Sequence, residues 1–391
     1  MPTPRVLLHL GTPKTGTTFL QEVMWHHRGE LAAHGVHYPG DFPEAHFQAA
    51  VDLQGVDFND WHDDAGEGAW ERMVARVRRL SGTVVLSHEL IGEASAERAR
   101  KALDDLSFAD VELVLTVRDL GRQIPAAWQE DLKNRHYMSF EEFALAVCPD
   151  NDVGAWYGNE FWRRQDVPKL LGRWAVDLPA DKVHLVTVPG RGAGQHELWR
   201  RFAQVVGVAP DVVDTAHPAI RRNRSLGQRE AQVLRRVNVL LEDKVEWPVY
   251  GEVMAHLAEH VLGQHRDPIE VPAEHLGWVS RLASEMVGAL RGTGHPVVGD
   301  LDDLLVDASG PRPARHPDAG SDTELLEVAV EVLATALFLK PVPPPRGRGL
   351  PRTIRLAERV LWRTYGTAVG VRDALRGTAG RQGPPPETSN P

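Results

Sequence analysis

Cysteine is almost absent: Cys148 is the single one in 391 residues, so no internal disulfide can form and folding in a reducing compartment is expected. No apolar run approaches the roughly 20 residues that cross a bilayer, so no membrane-spanning helix is expected. The first residues carry neither a long apolar core nor a cleavage-like segment; no signal peptide is read, and a cytoplasmic location is expected. An excess of positive charge is missing too. The formal net charge of −10 argues against general attraction to nucleic acid or anionic membranes. The histidines lack metal-ligand spacing, so no metal is expected. No internal repeat is found.

What is present is an alternation of strand and helix patterns. Arg5 to Leu10 is short, apolar and stopped by Gly11, the pattern of a buried parallel strand. Thr17 to about His34 follows at helical spacing, with Phe19, Leu20, Val23, Met24 and Leu31 apolar. Val36–His37 is a short extended piece before the turn at Pro39–Gly40. Residues 41–68 read as loops, with a short helix at about Ala45–Leu53, and Ala69–Leu80 is helical. Thr83–Ser87 is a second β-branched run, ending in His88–Glu89, and a helix capped by Ser95 runs to Leu106. Val111–Val117 is a third strand, ending in Arg118–Asp119. Leu120–Asn134 is helical, with Pro125 tolerated near its start. Further helices are expected at 139–147, 160–175, 194–206 and 227–241, with a fourth strand at Lys182–Val188.

This alternation predicts an α/β fold: three layers, a mostly parallel central sheet flanked by helices, and a helical C-terminal extension. In such sheets ligands bind beyond the carboxyl ends of the strands. The Lys14 loop, His88–Glu89 and Arg118 all follow strand ends, so they are expected to converge.

The loop Gly11-Thr12-Pro13-Lys14-Thr15-Gly16-Thr17-Thr18 has the composition of an anion cradle. A helix N-terminus offers unpaired N–H groups and the positive end of a dipole, Lys14 adds a cation, and the threonines add hydroxyls. The guest is a phosphate or sulfate ester. A nucleotide-triphosphate P-loop places its lysine directly after the second glycine. Here Thr17 holds that position and the lysine comes earlier, which disfavours a metal-nucleotide kinase.

Pro13-Lys14-Thr15-Gly16-Thr17-Thr18 resembles, at every position, the P-K-[ST]-G-[ST]-[ST] loop of the P-loop-like sulfotransferases that use 3′-phosphoadenosine-5′-phosphosulfate (PAPS), and the bacterial branch of that family in particular. The resemblance spans roughly residues 5–240 and is strongest in the first 130. It implies a P-loop NTPase-like fold and transfer of a sulfuryl group from PAPS to an acceptor hydroxyl or amine, leaving adenosine 3′,5′-bisphosphate (PAP), with no metal. Pro13, Lys14, Thr15, Gly16, Thr17 and Thr18 would grip the 5′-phosphosulfate, with Lys14 also catalytic. Arg118 matches the family arginine for the 3′-phosphate. The serine expected eight residues later is Ala126 here, with Arg122 or Gln129 as candidate substitutes. Aligning Ser87 with the threonine of a K-T-H-L strand end puts His88 on the catalytic histidine and Leu86 on the lysine. Glu89 is the alternative base, since other branches use a glutamate, and His88 is favoured. Arg221-Arg222-Asn223-Arg224-Ser225 corresponds to the family's late basic loop over the 3′-phosphate. His37, His46 and His62 are candidate pocket residues, and Trp128 is read as core rather than an adenine stack.

Two other readings stay open. One is a P-loop small-molecule kinase; the other is a non-catalytic PAP-binding relative, in keeping with Ala126 and Leu86. The acceptor is a carbohydrate, glycolipid or small metabolite that the sequence does not specify. Domain boundaries are expected at 1–305 for the α/β domain, with a linker over 306–323. The helical extension over 324–376 is interrupted by the Pro-rich stretch 341–351, and the tail 377–391 is expected to be disordered. From residue 341 onward nine Arg face Glu358, Asp373 and Glu387, a net of about +6. A helix over 352–376, with Ile354, Leu356, Val360, Leu361, Tyr365 and Val369 on a broad face, is expected to dock on the main domain or a partner subunit, with an acidic or membrane surface as the lesser reading.

Overall fold

The computed structural model describes residues 2–338 except 56–65, 153, 191, 219, 221–224, 242–243, 246, 264–266 and 309–314. The strands are β1 (Arg5–His9), β2 (Val36–His37), β3 (Thr83–Ser87), β4 (Asp110–Val117), β5 (Val183–Thr187) and β6 (Val297–Val298). They form one sheet in the order β2-β3-β1-β4-β5-β6, and every pairing is parallel. β1 therefore lies between β3 and β4, with His9 level with both Ser87 and Val114. The winding direction reverses between β1 and β4, and a crevice opens at such a reversal. The three segments singled out in the sequence follow these three adjacent strands.

The helices in chain order are α1 (Thr17–His26), α2 (Arg28–Ala33), α3 (Ala45–Gln54), α4 (Ala69–Val77), α5 (Glu89–Gly92), α6 (Ala96–Asp105), α7 (Leu120–Lys133), α8 (Phe140–Val147), α9 (Ala155–Gln165), α10 (Val167–Trp174), α11 (Gly194–Val206), α12 (Gln228–Leu241), α13 (Trp247–His260), α14 (Ala273–Arg291) and α15 (Asp322–Phe338). Successive strand residues point to opposite faces, and the core divides accordingly. Leu7, Val85, Val114 and Val186 pack with α1 and α11 through Phe19, Leu20, Val23, Trp199 and Phe202. Leu8, Leu86, Leu115 and Leu185 pack on the other side with Trp70, Ile124, Trp128 and Trp174. The result is the expected α/β fold in three layers. Among the described residues no helix is long and apolar enough to cross a membrane.

Two expected helices are each divided. The run 17–34 breaks at His27, whose backbone leaves helical geometry and whose buried ring bonds the Asp214 carbonyl at 3.1 Å. The run 160–175 breaks at Asp166, which caps α10 through Lys169 N at 3.0 Å, and Pro168, in the first turn of α10, has no N–H with which to continue the α9 ladder. β6 was missed because two residues carry no periodicity. Ser95 caps α6 through Arg98 N at 3.2 Å, as its position predicts.

Part of the stretch read as a linker is pinned to the domain. Gln228 of α12 donates to the His316 and Ala319 carbonyls at 2.7 and 2.6 Å, and Gln232 donates to Pro317 at 3.0 Å. Asp318 accepts from Phe140 N and Glu141 N, both at 2.8 Å, at the first turn of α8. His316 sits 3.7 Å from Glu141 and Glu274, while its Nδ1 accepts the Asp318 N–H at 3.1 Å. A side-chain acceptor at a helix start stabilises by about 1 kcal/mol. Asp318→Ala should therefore lower unfolding free energy in urea by about 1–2 kcal/mol, since it strips two N–H partners at once. An unchanged urea midpoint would contradict that role for residue 318.

Candidate active site

The loop after β1 begins as an extension of the sheet, with Leu10 N on Val114 O at 2.9 Å and Thr12 N on Thr116 O at 3.3 Å. It then turns through Lys14 at φ +70° and Gly16 at φ +88°, and α1 starts. Gly16 is favoured by its positive φ, which strains any side chain, and a Cβ there would also displace the Leu198 Cδ2 methyl of α11, 2.5 Å away. The first turn of α1 contains no acidic residue, and its N-cap position is a glycine without a capping side chain. Its leading N–H groups are thus available to an anion, the arrangement that binds phosphate and sulfate at helix starts.

Beneath the loop runs a buried polar chain that links all three strand ends. Thr15 Oγ1 donates to Thr12 O at 2.6 Å, so it accepts from Thr116 Oγ1, also at 2.6 Å. Thr116 in turn accepts from His9 Nε2 at 3.1 Å. His9 Nδ1 must then accept from Ser87 Oγ at 2.7 Å, and Ser87 Oγ accepts from Gln21 Nε2 of α1 at 3.4 Å. One direction of donation satisfies every member and fixes His9 as the Nε2–H tautomer. Burial pushes the His9 ring down to about 4, with Glu89 opposing and His88 adding. His46 is built in similarly: Nε2 donates to Pro39 O at 2.5 Å, Nδ1 accepts from Ser87 N at 3.2 Å, and burial holds it at about 3.

The β3 end presents His88 and Glu89 to the same cleft. His88 Nδ1 accepts the Leu90 N–H at 3.2 Å, capping α5, so the neutral ring carries its proton on Nε2. Burial lowers its pKa against the pull of Glu89. The His88 ring packs on Phe47 at 5.5 Å. Glu89 is raised by burial, but His88, its own backbone, Lys14 and the Thr17 hydroxyl together hold it below the ordinary carboxylate range. Gln21 Nε2 reaches Glu89 Oε2 at 3.4 Å. A neutral donor and an ionised acceptor thus sit side by side.

The β4 end and α7 close the third side. Arg118 donates to the Lys14 carbonyl at 3.0 Å, bracing the strained residue. Asp119 caps α7 through Arg122 N at 2.9 Å and also pairs with the Arg122 guanidinium. Arg122 further donates to Pro189 O at 2.8 Å, so its guanidinium is spent on tying α7 to the β5 end. Gln123 holds the loop through Pro13 O, and Lys14 Nζ pairs with Glu130. Gln129 accepts from Leu226 N at 2.8 Å, which sets Ser225 in the cleft wall. Trp128 is core, packed edge-on to Phe140.

Pro13, Lys14, Thr15, Gly16, Thr17, Thr18, His88, Glu89, Arg118, Arg122 and Ala126 all line one cleft of about 660 Å³. The polar atoms are not equally disposed. The Thr15 hydroxyl belongs to the buried chain and Thr17 is buried beside Glu89, whereas Thr18 is exposed. Of the other expectations, Arg221, Arg222, Asn223 and Arg224 lie outside the described residues, as do His62 and the helix over 352–376. His37 stands in β2, half-buried. Sequence reading missed His9, Gln21, Thr116 and Glu130. The first and third had a signal: each is a polar side chain directly after an apolar run at the carboxyl end of its strand.

No family model matches the chain, and a search of the curated proteins finds no match. Among solved structures, the sulfotransferase from Alicyclobacillus acidocaldarius is similar to it at 16% identity, over 62% of this chain and 97% of its own, with a TM-score of 0.35. That superposition is too loose to carry anything from one protein to the other.

His9 and His46 stay neutral in the fold, while the unfolded chain protonates each near 6.5. Below that value the unfolded state binds more protons. Their contribution is therefore complete above 6.5 and declines as pH falls toward 4, by about 1.4 kcal/mol per pH unit for each ring. Urea unfolding of His9→Gln, followed between neutral pH and about pH 5, should show a slope shallower than wild type by about that amount for one ring. Parallel slopes would contradict a neutral His9.

Proposed function

We propose that this chain is a sulfotransferase, moving the sulfuryl group of PAPS to a hydroxyl or amine of a carbohydrate, glycolipid or small metabolite. The observation that carries this reading is the meeting in one cleft of the Pro13–Thr18 loop, Arg118 and the ionised Glu89. The cleft of about 660 Å³ has the size of a site for a nucleotide and a small second substrate. The single cysteine fits a reducing, cytoplasmic setting.

PAPS supplies a sulfuryl group already activated by its bond to the 5′-phosphate. The N–H groups at the start of α1 bind the phosphosulfate, and Lys14 exchanges Glu130 for the charge that grows on the departing phosphate. These donors are oriented before reaction, which is the main source of such catalysis. Arg118 reaches the 3′-phosphate, and Ser225, in the wall of the same cleft, adds a hydroxyl to it. As the acceptor oxygen or nitrogen bonds to sulfur, the sulfur–oxygen bond to the phosphate breaks and the acceptor proton passes to Glu89. Glu89 takes this role in preference to His88, because the His88 Nδ1 already holds the Leu90 N–H and its Nε2 bears the proton. His88 positions the acceptor by donating from Nε2.

Loss of one preorganised charge donor costs roughly 10²–10³ in rate, and loss of a general base roughly 10²–10⁴. Lys14→Ala and Glu89→Gln should thus each reduce transfer of labelled sulfate from PAPS to acceptors in cell extract by at least about 10²-fold. His88→Asn retains an acceptor for Leu90 N–H and should lose less than about ten-fold, short of a general base's share. A collapse with His88→Asn alone, leaving Glu89→Gln active, would return the base to His88. Full activity of Lys14→Ala would overturn the reading of the loop.

A further inference from the structure

α15 buries Leu325 and Val328 against the domain and packs on α12. Its opposite side is a second apolar stripe: Leu326, Val330, Leu333 and Leu337, exposed by 64%, 56%, 59% and 39%. At 100° per residue these four fall within about 60° of one another, a continuous seam. Leu240 of α12, 70% exposed, adds to the exposed apolar surface of the same helix pair. Among the described residues nothing covers the seam. α15 also carries Glu327 and Glu331, beside Asp322 and Glu324 that pair with Arg236 and Arg315, and no basic residue of its own.

Charge selects the occupant. A second copy would bring another acidic helix against this one, and an anionic membrane would meet the same repulsion. The chain itself continues with a segment of opposite sign. Residues 352–376 hold six arginines, Arg352, Arg355, Arg359, Arg363, Arg372 and Arg376, against Glu358 and Asp373. Ile354, Leu361 and Tyr365 repeat the intervals of Leu326, Leu333 and Leu337, seven residues and then four. The connector 339–351 spans at most about 45 Å when extended, against roughly 26 Å for the length of α15, so it can fold back. A tether of this length holds the segment at an effective concentration in the millimolar range, far above any partner in solution.

We propose that residues 352–376 dock in cis on the Leu326–Leu337 seam of α15, their arginines facing its carboxylates, as an intramolecular clasp. Trypsin reads the arginines directly. In the full chain, cleavage at Arg359 and Arg363 should be at least about ten-fold slower than in Leu333→Glu, at every protein concentration, while cleavage at Arg381 is the same in both. Equal rates at Arg359 and Arg363 in the two proteins would overturn the clasp. Protection that grows with protein concentration would overturn it in favour of a second copy, and protection that appears only with anionic vesicles in favour of a membrane. Should Leu333→Glu lose its circular dichroism, the Glu327→Arg, Glu331→Arg pair replaces it with the same outcomes.

Discussion

A histidine inside a parallel sheet is tolerable only when both ring nitrogens are paired, because a buried polar atom without a partner costs about 1–3 kcal/mol. His9 meets that condition through Ser87 on one side and Thr116 on the other, and the site depends on this bridge. It joins the ends of β3, β1 and β4 in one layer and passes through Thr15 into the loop. Since Thr15 must donate to Thr12 O, every proton in the chain has one place to be. The loop is therefore held from below by side chains, leaving its backbone N–H groups for a ligand above.

Above that layer the chemistry is a matter of competing charges. Lys14 pairs with Glu130 on α7 and also lowers the pKa of Glu89 across the cleft. Burial alone would raise Glu89; His88, the helix-start backbone, the Lys14 cation and the Thr17 hydroxyl reverse that, keeping it ionised. Neighbouring His88 goes the other way, its pKa lowered by burial and its Nδ1 committed to α5. Two adjacent polar residues at one strand end thus differ in charge and in hydrogen bonding.

The three strand ends were legible because fully buried strands announce themselves as short apolar runs closed by Gly, His or Arg, whereas the place of β1 between β3 and β4 was not. The Pro13–Thr18 turn was legible for the same reason: positive φ, small side chains and a helix start leave a strong mark. What the sequence left hidden depends on register. His9 and Thr116 lie 107 positions apart and meet only because β1 and β4 pair with His9 beside Val114. Arg122 looked like a spare phosphate ligand, but only the fold brings Pro189 O and Asp119 to its guanidinium. The Leu90 N–H that occupies His88 Nδ1 is likewise displayed by no residue pattern. Residues 315–320 read as linker because their polar composition hides that Gln228 and Gln232 hold their backbone.

The central claim is that the cradle beneath α1 is built for a nucleotide bearing a 3′-phosphate and needs no metal to hold it. Calorimetric titration of the full chain with PAP in the presence of a chelator tests it most directly, beside a titration with ATP and magnesium. The account predicts metal-free PAP binding at least about ten-fold tighter than ATP with magnesium, a difference of about 1.4 kcal/mol. Equal or tighter binding of ATP with magnesium, or no binding of PAP, would contradict it.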